Sequence, residues 1–225
     1  MRVLVVGGSP EVASAATVAQ AAAGCDAVVA VDAGLDALAA AGLGADLFCG
    51  DADSVSAAGA ERVREAERAG GPMGVERYRP HKDHSDLNLA LAAVRRCWPG
   101  AAIRCTCLSG GRPDHFLDVL GRLASWPGPV ELVEDTFTGR ILQARQRWVI
   151  EGAAGATFSF MPLDRACEVS LSGMRWNLER RRCGLLEDVG LSNVVEGQRA
   201  QVDCHAGTIV CWLFENPLKM NKTLQ

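Results

Sequence analysis

The sequence predicts an α/β domain built on a mostly parallel, Rossmann-like sheet over residues 1–134, followed by an all-β sandwich domain over residues 135–225. Two observations carry this reading. Up to Ser125, short apolar runs alternate with longer stretches of helical period, the pattern of successive β-α units that stack into a parallel sheet. Beyond Ser125-Trp126-Pro127-Gly128-Pro129 and a last run at Val130–Val133, no long helical period survives, and short alternating runs lie between turns.

The first run, Arg2 to Val6, ends in the turn Gly7-Gly8-Ser9-Pro10, and the Ala-rich stretch Val12 to Ala23 is helix-prone. That turn lacks the glycine spacing of dinucleotide-binding and P-loop motifs, so tight-turn geometry explains it. The next strand, Ala27 to Val31, meets Asp32 at its end, and Leu35, Leu38 and Ala39 face a short helix that Gly42 and Gly44 stop. Asp46 to Cys49 reads as a short buried strand, and Gly50-Asp51-Ala52-Asp53-Ser54 as the turn beyond it. Ser56 to Ala69 is helical and is broken by Gly70-Gly71-Pro72. Val75 to Tyr78 is a short strand before a polar loop through Lys82. Ser85 then caps a helix with Leu87, Ala90, Leu91 and Val94 on its apolar face, stopped by Trp98-Pro99-Gly100. Ile103 to Leu108 is the next strand, and Pro113 fits the first turn of a helix carrying Phe116, Leu117, Leu120 and Leu123.

In the second half, the strand-like runs are Arg140–Ala144, Arg147–Glu151, Thr157–Met161, Cys167–Leu171, Ala200–Cys204 and Thr208–Leu213. Ser172 to Leu178 and Gly190 to Asn193 read as loops with polar and aromatic groups. Trp176 is either sandwich core or an exposed recognition residue. The polar tail Lys219–Gln225 is expected to be disordered.

Composition excludes several classes of function. A net charge of −4, with no basic stripe carrying interleaved aromatics, argues against a nucleic-acid partner. The only N-terminal apolar run is far too short for a leader or a membrane helix, and nine cysteines without regular spacing read as reduced thiols, so a cytoplasmic, non-membrane protein is expected. Cys105 and Cys107 alternate in a strand with no second pair, and His81 and His84 have no third ligand nearby. Neither pair predicts a zinc site.

The chemistry is concentrated where strands end. Asp51 and Asp53, two residues apart, can turn both carboxylates the same way, and Asp32 and Asp86 sit at strand–helix or loop–helix junctions on the same predicted sheet edge. Each has an ordinary structural role available: a turn, an N-cap or a charge favoured by a helix dipole. Together they would repel by several kcal/mol without a cation, and hard oxygen ligands at loose spacing suit Mg²⁺. Lys82 beside these acids either balances their charge or holds a phosphate. The loop Gly110-Gly111-Arg112-Pro113-Asp114-His115 presents an arginine fork, an acid and an imidazole at a helix N-terminus, a junction suited to anions.

In order, the motifs are Val31-Asp32-Ala33-Gly34, Gly50-Asp51-Ala52-Asp53-Ser54, Lys82-Asp83-His84-Ser85-Asp86, Gly110 to His115, Ser172-Gly173-Met174-Arg175-Trp176 and Leu191-Ser192-Asn193. This series resembles the thiamine pyrophosphokinase (thiamine diphosphokinase) family over nearly the whole chain. The resemblance implies a catalytic α/β domain, a thiamine-binding β-sandwich, and a homodimer with active sites between subunits. It also implies Mg²⁺-dependent transfer of the terminal diphosphate of ATP to the hydroxyl of thiamine, leaving AMP. On this resemblance the catalytic residues are Asp51, Asp53, Asp86, Arg112 and Asp114, with Asp51, Asp53 and Asp86 on the metal. Asp32, Lys82, Ser85, Arg112 and His115 face ATP, and Trp176, Ser192 and Asn193 face thiamine. The chain departs from the family pattern at Ala33 (usually Gly), Ala52 (usually aromatic), Ser85 (usually Thr) and near Asn88, where the family often has an acidic residue. Two other readings compete: a diphosphokinase for another heterocyclic alcohol such as a pterin, and a catalytically silent thiamine or nucleotide sensor.

Overall fold

A computed structural model describes residues 1–78 and 84–214, so Lys82, His81 and the tail at 219–225 lie outside the described residues. The chain forms two compact units, one of Met1–Arg122 with Trp126–Asp135, the other of Leu123–Ser125 with Thr136 onward.

The first unit alternates strand and helix: β1 (Arg2–Val6), α1 (Ala15–Ala22), β2 (Ala27–Val31), α2 (Gly34–Ala40), β3 (Leu47–Gly50), α3 (Ala57–Ala69), β4 (Gly74–Arg77), α4 (Asp86–Cys97), β5 (Ala102–Thr106), α5 (Pro113–Ala124) and β6 (Val130–Val133). Its strands are all parallel, in the order β6-β5-β1-β2-β3-β4. The strand order reverses beside β1, which sends the chain to β2 on one side and lies against β5 on the other. In sheets of this class that reversal opens a crevice at the carboxyl ends.

Buried apolar side chains hold this sheet, because strands covered on both faces carry near-continuous apolar runs. Leu4, Val6, Ala30 and Phe48 from strands pack with Val18, Leu35, Leu38 and Val63 from helices. Truncating a ring such as that of Phe48 to Ala typically costs about 3–5 kcal/mol. Cys105 and Cys107 are buried free thiols, as their alternation suggests. The helices start where the sequence offers caps: the hydroxyls of Ser14, Ser56 and Ser85 accept from the backbone N–H groups of Thr17, Gly59 and Asn88. Helix α1 is therefore shorter than the helix-prone run, since its cap falls at Ser14 and not before Val12.

The second unit comprises β7 (Phe137–Gln143), β8 (Gln146–Glu151), β9 (Thr157–Pro162), β10 (Cys167–Ser172), β11 (Leu178–Cys183), a 3-10 turn at Asp188–Gly190, β12 (Asn193–Val194), β13 (Arg199–Ala206) and β14 (Thr208–Phe214). Two antiparallel layers, β12-β9-β14-β7 and β11-β10-β13-β8, enclose Leu142, Trp148, Phe158, Phe160, Val169, Val202 and Ile209. Trp148 and Phe158 meet edge-on, with ring centroids 6.3 Å apart. The fold is thus an α/β unit followed by an all-β sandwich unit.

One expectation needs correction and one open alternative is decided. Leu178, expected in a loop, opens β11, whose residues Glu179 to Arg182 are exposed and show no alternation. An edge strand faces solvent and keeps charge to discourage further pairing, so the apolar pattern that marks inner strands is missing. The sandwich does bury a tryptophan, but it is Trp148; Trp176 stands 57% exposed.

Candidate active site

The polar loops of the first unit leave the carboxyl ends of β2, β3 and β5. At each end a non-glycine residue takes a left-handed backbone: Asp32 (φ 45°), Ala52 (φ 63°) and Cys107 (φ 55°). That conformation costs roughly 1–2 kcal/mol for an L-residue, and such strain persists where surrounding contacts over-determine it.

At the ends of β2 and β3 the strain assembles an acidic cluster. Oxygens of Asp32, Asp51 and Asp53 all lie within 4.8 Å of one another. Asp32 is no helix cap: the N-cap of α2 is Ala33, which makes no side-chain bond, while Oδ1 of Asp32 accepts from the N–H of Ala52 at 3.3 Å. Gly50 admits this carboxylate, since a Cβ there would lie 2.0 Å from Oδ1 of Asp32. Oδ1 of Asp51 accepts from the N–H of Asp53 at 3.2 Å. The far end of the loop is pinned to α2, where the carboxylate of Asp36 accepts from the N–H and hydroxyl of Ser56, both at 2.6 Å.

Burial, then the charge of Asp86, pushes the Asp32 carboxyl up to about 7, with Asp51 and the hydrogen bond that protonated Asp32 donates to Asp86 adding to the rise and the Ala52 N–H opposing it. The structure thus brings Asp32 together with Asp51 and Asp53, while Asp86, at the first turn of α4, joins through its contact with Asp32. At 4.8 Å two unit charges repel by about 3.5 kcal/mol at an effective dielectric of 20, and by about 0.9 kcal/mol in water. A hard divalent cation relieves that repulsion, and loosely spaced carboxylate oxygens are the donors it takes. The residues present therefore fit Mg²⁺, with Asp32, Asp51 and Asp53 as the group able to hold it.

The hydroxyl of Ser85 is committed elsewhere, capping α4 and donating to Oδ2 of Asp118 at 2.9 Å. In the loop after β5, the Arg112 guanidinium grips Asp114 with two bonds, Nε to Oδ1 at 3.1 Å and NH2 to Oδ2 at 2.6 Å. This pairing holds the Asp114 carboxyl down at about 2. Both side chains and His115 are exposed. Strands β3 and β5 flank β2 and β1, so the acidic cluster and the Arg112 loop leave the same sheet edge three strand spacings apart, about 14 Å.

In the second unit, Asn193 is buried and its amide is spent on the backbone of Trp176. Oδ1 accepts from the Trp176 N–H at 3.1 Å and Nδ2 donates to the Trp176 carbonyl at 2.7 Å. Asn193 thus orients the tryptophan and presents no free amide. Trp176 carries the Arg175 guanidinium 5.6 Å from its ring centroid. Ser192, exposed and left-handed at φ 57°, donates its N–H to Oγ of Ser159 at 3.0 Å.

Glu134 and Glu11 were not singled out from sequence. Glu134 follows the strand run Val130–Val133 as Asp32 follows Ala27–Val31, so the same strand-end rule finds it. Glu11, which accepts from the N–H of Gly111 at 3.0 Å, gives no local signal because its partner is 100 residues away.

The family model for the thiamin pyrophosphokinase catalytic domain matches residues 18–129, and that for the thiamin pyrophosphokinase vitamin B1 binding domain matches residues 147–209. The chain belongs to the thiamin pyrophosphokinase family. It carries that family's catalytic and vitamin B1 binding domains, which identifies an enzyme of the thiamine diphosphokinase type. Among solved structures, thiamine pyrophosphokinase from Bacillus subtilis is similar, at 20% identity and a TM-score of 0.78, over 96% of this chain and 100% of that one. A thiamin pyrophosphokinase family protein from Enterococcus faecalis (22%, TM-score 0.74, 96% and 100%) and thiamin pyrophosphokinase from Candida albicans (13%, TM-score 0.74, 95% and 90%) share the fold. A search of curated proteins by sequence gives no match. No helix among the described residues is long and apolar enough to cross a membrane.

Proposed function

We propose that this chain transfers a diphosphate group from ATP to the hydroxyl of thiamine, releasing thiamine diphosphate and AMP, and that it works with Mg²⁺ as a homodimer. The hydroxyl oxygen attacks the β-phosphorus, the bond from that phosphorus to the oxygen bridging to the α-phosphorus breaks, and the electron pair leaves with AMP. The observation that carries the reading is the convergence of Asp32, Asp51 and Asp53 at adjacent strand ends, in a chain whose two halves match the two domains of one family.

Phosphoryl chemistry asks a protein for positioning and for charge opposite the phosphates. When bound, Mg²⁺ supplies neutralisation of phosphate charge. The three aspartates would hold it, and Asp86 steadies Asp32. Arg112 turns its fork from Asp114 toward a phosphate, with Lys82 as a second cation and His115 and Ser85 bordering the nucleotide. With no phosphate present Arg112 occupies both oxygens of Asp114 and holds its carboxyl down at about 2; turning the fork to a phosphate frees Asp114, so Asp114 and Asp86 are the two candidates to receive the hydroxyl proton. Trp176 offers an exposed ring to a cationic aromatic substrate, Ser192 a neighbouring hydroxyl, and Asn193 sets the ring's orientation.

A coupled assay of AMP release with thiamine, pterin alcohols or no acceptor tests this. Release with thiamine alone is expected. Release with a pterin alcohol would assign another diphosphokinase, and no release with binding intact would assign a sensor.

A further inference from the structure

The loop that delivers Arg112 is gripped from below by a carboxylate outside the site described so far. Glu134, the residue after β6, is only 7% exposed. Its Oε1 accepts from the N–H groups of Leu108 at 3.0 Å and Ser109 at 3.3 Å, and its Oε2 from that of Cys107 at 3.3 Å. Successive N–H groups converging on one anion form a backbone nest, a concavity that elsewhere takes phosphate. Here the chain fills it with its own side chain. Cys107 is the left-handed residue of the turn, and it and Leu108 are buried, so without Glu134 these N–H groups would face a dry interior unpaired.

The loop's other flank is tied to the turn after β1. The N–H of Ser9 donates to the Cys107 carbonyl at 3.0 Å, and the Ser9 hydroxyl donates to the Ser109 carbonyl. Gly7 lets the two turns meet, since a Cβ there would lie 2.5 Å from the Cys107 carbonyl oxygen. These contacts hold carbonyls; among the described residues it is Glu134 that holds the N–H side of Cys107 to Ser109. Three residues beyond Ser109 stands Arg112, whose own side chain is exposed and, among the described residues, is held by Asp114.

We propose that Glu134 is a positioning residue that locks the left-handed turn at Cys107 and so aims the Arg112 loop at the nucleotide. The aim rests on the phosphate-binding role given to Arg112 above; the lock does not. It follows that phosphate does not use the first N–H groups of this turn, which are already taken.

The test compares wild type with Glu134→Gln, full length, by hydrogen exchange and by steady-state kinetics with both substrates. Gln keeps the shape and one acceptor oxygen but turns an amide donor toward an N–H. Peptides covering residues 107–112 should exchange about tenfold faster or more, while those covering β1 and β2 stay protected. The kcat should fall about tenfold with the thiamine KM within about twofold, since only the nucleotide side is disturbed. Should Gln not fold, Glu134→Asp, which keeps the charge but draws it back by one methylene, is read the same way. Unchanged exchange at 107–112, or equal loss of protection across the whole sheet, overturns the proposal. Local loosening with wild type inactive on thiamine supports the lock and overturns the functional reading instead.

Discussion

Asp51→Asn should stabilise the metal-free protein and destroy its response to magnesium. The amide oxygen can still accept from the Asp53 N–H as the carboxylate does at 3.2 Å, so the loop keeps that bond while losing a charge. With the three acids within 4.8 Å, each repulsion involving Asp51 lies between the aqueous and protein limits of about 0.9 and 3.5 kcal/mol. Asp53 is exposed and Asp32 holds its proton part of the time near neutrality, so the net relief is about 1–2 kcal/mol. For a chain of this size that raises the melting temperature by about 2–8 °C. Wild type with Mg²⁺ at 100 times its Kd gains about 2.7 kcal/mol, which the variant should not. Melts in EDTA and in Mg²⁺ should therefore put the variant above wild type in the first and below it in the second. A variant that melts lower in EDTA, or gains as much from Mg²⁺, would refute the idea of a repelling cluster built for a cation.

Four further outcomes are expected. Arg112→Lys keeps the charge but cannot grip two oxygens, so kcat/KM for ATP should fall about 10- to 100-fold, and wild-type kinetics would make Arg112 a surface residue. Because the Asp32 carboxyl is raised in the folded state, that state holds more protons between about pH 4 and 7. This contribution to metal-free stability is therefore present in acid and lost as pH rises through about 7, and denaturant titrations should show the slope vanish in Asp32→Asn. Trp176→Ala should raise the thiamine KM about tenfold with the ATP KM unchanged, and Asn193→Ala, which frees the Trp176 backbone, should raise it while also lowering the melting temperature. If nucleotide and acceptor residues of one site come from different subunits, exchanging subunits of Asp51→Asn and Trp176→Ala proteins should recover about a quarter of wild-type activity at thiamine well below its KM, where both parents are nearly inactive, and no recovery after demonstrated exchange would contradict it.

The parts of this molecule legible in the sequence are those governed by local pattern. Strand β2 is a continuous apolar run, β1 is one after Arg2, and Ser85 caps a helix as a serine before an apolar period does. The grouping of Asp51 and Asp53 follows from spacing alone. What escaped depends on partners distant in sequence. Asp32 could not be separated from a helix cap until the N–H of Ala52, 20 residues on, was seen to claim it. Asn193 looks like a substrate contact in the sequence because nothing local shows an amide spent on residue 176. Strand β11 escaped because an edge strand of exposed arginines carries no apolar period.

The central claim is that a diphosphate moves as a unit. Following a reaction of ATP, Mg²⁺ and thiamine by ³¹P NMR measures this directly. The account predicts equal amounts of AMP and a thiamine diphosphate ester, with no ADP and no free phosphate accumulating. ADP formed together with a thiamine monophosphate ester would contradict it.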